Sequence, residues 1–126
     1  MSYVKRAVLN NLKNNLKPNK VLVLLGARRV GKTQLIKKYL ETVEEKVLQL
    51  NGEDLNDARL LEERTLENYT RLFQNIGLLV IDEAQAVQDI GLILKFIVDH
   101  IEGIKVIATG SSMFDLANKL GEPLVG

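Results

Sequence analysis

The sequence predicts an α/β domain: a parallel sheet with helices packed on both of its faces. Three observations carry this. Val21–Leu25, Leu78–Ile81 and Val106–Ala108 are short apolar runs with no polar residue inside, the mark of strands buried on both sides. Stretches with apolar residues three and four apart lie between the runs, as amphipathic helices require. A glycine-containing turn, Gly26 to Gly31, joins the first run to the next such stretch.

The chain has 126 residues, room for one core, and is read as a single domain over 1–126. A hydrophobic fraction of 46% and a charged fraction of 26% exclude disordered and collagen-like chains. Seventeen Lys+Arg against sixteen Asp+Glu leave +1, so net charge gives no support to a nucleic-acid partner, though it leaves a local patch open. With no cysteine, disulfide scaffolds, thiolate metal sites and cysteine nucleophiles are excluded. The longest apolar stretch, Val21–Ala27, is far shorter than the about 20 residues of a spanning helix. Met1–Arg6 is not followed by an apolar signal core, so no membrane and a cytoplasmic location are expected.

The elements follow in order. Val4, Ala7, Val8, Leu12 and Leu16 predict a helix over 3–16, stopped by Lys17-Pro18-Asn19-Lys20. Val21–Leu25 is the first strand; Leu35, Ile36, Tyr39, Leu40 and Val43 form the next helical stripe, with Lys37-Lys38 on its solvated face. Lys46–Leu50 is the second strand, ended by Asn51-Gly52. The polar stretch 54–75 reads as two helical pieces, with Asp54 and Thr65 as N-caps. Gly77–Asp82 is the third strand and Lys105–Thr109 the fourth. Between these two strands a helix over 86–101 places Ile90, Ile93, Leu94, Ile97 and Ile101 on one face. Leu92 and Phe96 lie nearly opposite, which predicts a second contact surface, while His100 is read as a surface residue. Ser112 caps a last helix carrying Met113, Leu116 and Leu120.

The strongest chemical signal is Gly26-Ala27-Arg28-Arg29-Val30-Gly31-Lys32-Thr33, which fits the phosphate-loop pattern G-x-x-x-x-G-K-[ST] between a strand and a helix that opens at Gln34. Glycines let successive backbone N–H groups curl inward around anionic oxygens, and the helix adds the positive end of its dipole. Lys32 would reach the β- and γ-phosphates of a nucleotide and Thr33 would place its hydroxyl on Mg²⁺. Arg28 and Arg29 either touch phosphates or face solvent and acidic neighbours; Arg6 is a weaker candidate to approach from the side. Asp82-Glu83 ends the third strand, where open α/β sheets bind ligands. Asp82 suits the metal's outer shell, and Glu83 could polarise an attacking water as the catalytic base. Thr109-Gly110-Ser111-Ser112 follows the fourth strand, and Ser111 or Thr109 could contact the γ-phosphate. A nucleophilic serine is not supported, since G-x-S-x-G is absent and His100 is the sole histidine.

A phosphate loop, one intervening strand and a strand ending in Asp-Glu resemble the additional-strand, catalytic-Glu branch of P-loop ATPases. Asn118-Lys119 is followed by Leu120-Gly121, so the Asn-Lys-x-Asp motif of GTPases is missing. The phosphate loop, the Asp82-Glu83-Ala84-Gln85 run and Thr109-Gly110-Ser111-Ser112 together look like the AAA-type archaeal and bacterial P-loop ATPases, with a similarity that runs from Tyr3 to Gly126. The resemblance implies a three-layer P-loop NTPase fold with strand order 1-4-3-2. It also implies ATP as the nucleotide and Mg²⁺ as the metal. Members of that family usually continue through a Leu-x-Gly-Arg segment into a fifth strand and a C-terminal domain; this sequence stops at Leu124-Val125-Gly126. A C-terminally truncated nucleotide-binding domain of a longer protein is therefore expected, with weak ATPase activity. Its partners would be the missing C-terminal domain and, through an open edge at Val21–Leu25, another copy of itself. The alternative is a nucleotide-gated binding module with little or no turnover. A small-molecule phosphotransferase is weaker, because no acceptor-site pattern or lid is visible.

Overall fold

The computed structural model describes residues 12–25 and 36–110. Within them the strands are β1 (Val21–Leu25), β2 (Val47–Asn51), β3 (Leu78–Asp82) and β4 (Lys105–Gly110). The helical segments are α1 (residues 12–15), α2 (residues 36–40), α3 (Leu55–Glu62), α4 (Leu66–Leu72) and α5 (Ile90–His100), with a 3₁₀ turn at Ala84–Ala86. The strands pair in parallel in the order β1-β4-β3-β2, as expected. The predicted helix capped by Ser112 lies outside the described residues.

Alternation along each strand decides which layer a side chain enters. Leu79 and Ile81 of β3, Val106 and Ala108 of β4 and Val23 of β1 pack with Ala58 and Leu61 of α3, Tyr69 of α4 and Ile90, Ile93, Leu94 and Ile97 of α5. Leu78, Val80, Ile107, Leu22 and Leu24 point the other way, onto Leu12 of α1, Leu16 just after it, and Ile36 and Tyr39 of α2. Three layers result. Each of the buried Leu and Ile side chains contributes about 1.5–3 kcal/mol of burial, which is why strands apolar on both faces take the middle layer.

Local chemistry sets the helix ends. Asp54 Oδ1 accepts from the N–H groups of Asn56 (2.9 Å) and Asp57 (3.1 Å), and Thr65 Oγ1 from Asn68 N (3.1 Å), so both predicted N-caps are observed. Asn68 donates through Nδ2 to the carbonyls of Leu60 (2.7 Å) and Glu63 (2.8 Å), closing the end of α3. Tyr69 donates its hydroxyl to Leu61 O, and burial pushes that phenol up to about 12. Asn19, in a left-handed conformation (φ 58°), donates to Val98 O (2.7 Å) and Ile101 O (2.9 Å) and accepts from Gly103 N (2.9 Å). One side chain thus caps α5 and fastens the entry of β1 to the α5–β4 connection.

Two expectations need correction. The helix placed over 86–101 begins at Ile90. Val87 is fully buried in the core, and Asp89 is left-handed (φ 59°), so the chain turns once at Ala84–Ala86, drops Val87 inward and restarts. The predicted second surface of that helix is also divided. Phe96 packs edge-on against Tyr69 at 5.7 Å and stacks on His100 at 4.2 Å, while Leu92 alone is exposed, at 56%. A neighbouring helix, α4, covers half of the pair.

Candidate functional site

The C-terminal ends of all four strands lie on one side of the parallel sheet, where ligands bind in open α/β folds. β1 runs there into residues 26–35. The phosphate-loop candidates Gly26, Ala27, Arg28, Arg29, Val30, Gly31, Lys32, Thr33 and Gln34 lie outside the described residues, as does Ser111. Asp82, Glu83 and Thr109 are described, and the structure brings them together.

Thr109 joins the other two. It is register partner to Leu24 of β1, and its neighbour Ala108 pairs with Ile81 of β3, so the side chain stands beside the end of β3. Its hydroxyl donates to Asp82 Oδ1 and accepts from Glu83 N at 3.2 Å. The side chain is completely buried. Among the described residues the partners of that hydroxyl are the two members of the acidic pair. Asp82 remains half-exposed, with its second oxygen outside that hydrogen bond.

Glu83 follows in a left-handed conformation (φ 49°, ψ 51°) and is 5% exposed. A non-glycine residue held there costs on the order of 1–3 kcal/mol, so its neighbours must fix it. The amide is anchored on Thr109. Gly52 N donates to Asp82 O at 2.7 Å, and a Cβ at Gly52 would stand 2.3 Å from Glu83 O. Only glycine lets the end of β2 approach the turn this closely. The Glu83 carboxylate accepts from Gln85 Nε2 at 2.9 Å across the 3₁₀ turn.

Gln85 and Gly52 were missed as site residues by sequence reasoning. Gln85 had a signal, its place in the Asp-Glu-Ala-Gln run; Gly52 read only as a strand terminator. Among the described residues no three metal-ligating side chains cluster. Asp82 offers one carboxylate oxygen, and Mg²⁺ is commonly held by one or two carboxylates together with phosphate oxygens and water. The donor set fits a metal that arrives with a nucleotide.

An open parallel sheet of this order, with an acidic pair ending β3 and a hydroxyl on β4 holding it, defines a nucleoside-triphosphatase-like α/β domain. A family model described as AAA domain matches residues 18–126, and the chain belongs to that family. Among solved structures, it is similar to a replication initiator DnaA bound to AMPPCP and single-stranded DNA (15% identity, TM-score 0.62, covering 98% of this chain and 45% of that one). Domain III of the Thermotoga maritima replication initiation protein DnaA matches at 18% identity and TM-score 0.61, with 98% and 60% covered. A DNA replication initiation factor matches at 17% and 0.58, with 97% and 43% covered. These likenesses are of fold, and the chain spans 60% or less of each neighbour. No curated protein matches it.

Proposed function

We propose that this domain binds Mg²⁺·ATP and hydrolyses it. The observation that carries the reading is the Asp82–Thr109–Glu83 cluster, set at the strand ends beside the point where β1 enters the phosphate-loop sequence. Backbone N–H groups of Gly26 to Gly31 and the Lys32 amine would take the phosphates, and Thr33 and Asp82 would hold the metal. Mg²⁺, when bound, neutralises charge on the β- and γ-phosphate oxygens. Glu83 accepts the proton of the water that attacks the γ-phosphorus, ADP departs, and Ser111 contacts the γ-phosphate. The solved neighbour bound to AMPPCP supports an adenine nucleotide.

The 1–126 unit is proposed as the nucleotide-binding part of a longer cytoplasmic protein. Among the described residues no helix is long and apolar enough to cross a membrane. β1 stands at the edge of the described sheet, which supports pairing with a second copy or another segment there. The neighbour bound to single-stranded DNA makes nucleic acid a partner to assay, although a net charge of +1 lends it no weight. One observation favours the second reading, a nucleotide-gated switch with little turnover: the Glu83 carboxylate is buried and held by Gln85.

Calorimetric titration of ATP with Mg²⁺ tests the binding step. Lys32→Ala removes a charge-assisted contact of about 1.5–3 kcal/mol, a loss of roughly 10- to 150-fold in affinity. Unchanged affinity would sink the phosphate-loop assignment.

A further inference from the structure

Thr109 has a hydroxyl with one proton to give, and the proton is given to Asp82 Oδ1. The Thr109 hydroxyl oxygen in turn accepts from the Glu83 amide at 3.2 Å. Zero exposure places it beneath the site and not on its surface. The two bonds act on different parts of the acidic pair. One holds the Asp82 carboxylate through Oδ1 and leaves Oδ2 outside that bond; the other pins the backbone where Glu83 turns left-handed (φ 49°).

We propose that Thr109 is a positioning residue for the metal-binding carboxylate, acting through Asp82 and the Glu83 turn and making no phosphate contact of its own. The inference rests on the proposed Mg²⁺·ATP reading. A residue that reads the γ-phosphate and one that aims a metal ligand differ in what they distinguish. Losing the first weakens ATP binding relative to ADP. Losing the second weakens every metal-dependent nucleotide complex alike and leaves metal-free binding unchanged.

The test titrates ATP and ADP, each with Mg²⁺ and with EDTA, into wild type, Thr109→Val and Thr109→Ser. Valine keeps the shape and removes the hydroxyl; serine restores it. Outer partners of metal ligands are typically worth 10–100-fold, so Thr109→Val should weaken Mg²⁺·ATP and Mg²⁺·ADP each by about tenfold or more, with the EDTA values within about twofold and Thr109→Ser close to wild type. Should valine prevent folding by leaving Glu83 N–H and Asp82 Oδ1 unpaired, Thr109→Ala, which makes room for a water, is read the same way. Loss of ATP affinity with ADP affinity retained would overturn the proposal in favour of a phosphate contact. Unchanged metal dependence in a folded variant would overturn it outright. If wild type itself binds ATP no better with Mg²⁺ than with EDTA, the underlying reading fails and takes this one with it.

Discussion

Gly52→Ala puts the account of the acidic turn under direct strain. The added Cβ would lie 2.3 Å from Glu83 O, 3.1 Å from Glu83 C and 3.2 Å from Val87 Cγ2. Even a close carbon–oxygen contact needs about 3.3 Å, so the Glu83 turn must retreat by about 1 Å. The obstructing atoms are mostly backbone, and Val87 is fully buried, so neither yields by a simple rotamer change. Overpacking of this kind costs about 1–3 kcal/mol. In a domain of this size the melting temperature should fall by about 4 °C or more for each kcal/mol. Because the turn carries Glu83, a displacement near 1 Å should lower turnover by about 100-fold. Gly103→Ala is the control: its Cβ meets open space, but φ is +83°, so it should cost about 1 kcal/mol of stability and leave turnover alone. Thermal melts by circular dichroism and phosphate release, run on both variants, give the answer. Wild-type melting and turnover in Gly52→Ala, or equal loss of turnover in Gly103→Ala, would refute the reasoning.

Two further consequences concern the scaffold. Asn19→Ala strips the carbonyls of Val98 and Ile101 of a donor and places alanine in a left-handed conformation, so it should destabilise by about 2 kcal/mol; a urea midpoint lowered with the slope unchanged is the expected result, and an unmoved midpoint the contrary one. Tyr69 has its phenol raised to about 12 from an ordinary value of 10.0, chiefly by burial. The unfolded chain therefore releases that proton first as pH rises, so stability from this group is complete below pH 10 and falls between 10 and about 12. Tyr69→Phe should flatten that part of the stability curve, and an equally steep fall in the variant would count against the buried phenol.

What was legible in the sequence is what is local. Leu78–Asp82 shows its burial by an unbroken apolar run, Leu78 to Ile81. Asp54 and Thr65 announce their caps because the bonds they make span two or three residues. The misplaced start of α5 has a different origin: the apolar rhythm continues upstream through Val87, and only the packing of that residue beneath the sheet ends shows that the helix must break. Phe96 has its contact in Tyr69, whose position depends on how α4 lies over α5. The site divides in the same way. Asp82 and Glu83 were readable as candidates, but the bonds that Thr109 makes to them depend on the parallel pairing of β3 with β4, and the close contact at Gly52 on the approach of β2. Neither relation leaves a trace in spacing.

The central claim is that Glu83 turns over a nucleotide held by the phosphate loop and Asp82. Glu83→Gln keeps the size of the side chain and its hydrogen-bonding reach while removing the base. The direct measurement is the fate of bound nucleotide: each protein is loaded with Mg²⁺·ATP, quenched over a time course, and its nucleotide separated. Wild type should yield ADP while Glu83→Gln, binding ATP as tightly, still holds it intact. Equal rates of ADP formation in the two proteins would contradict the account.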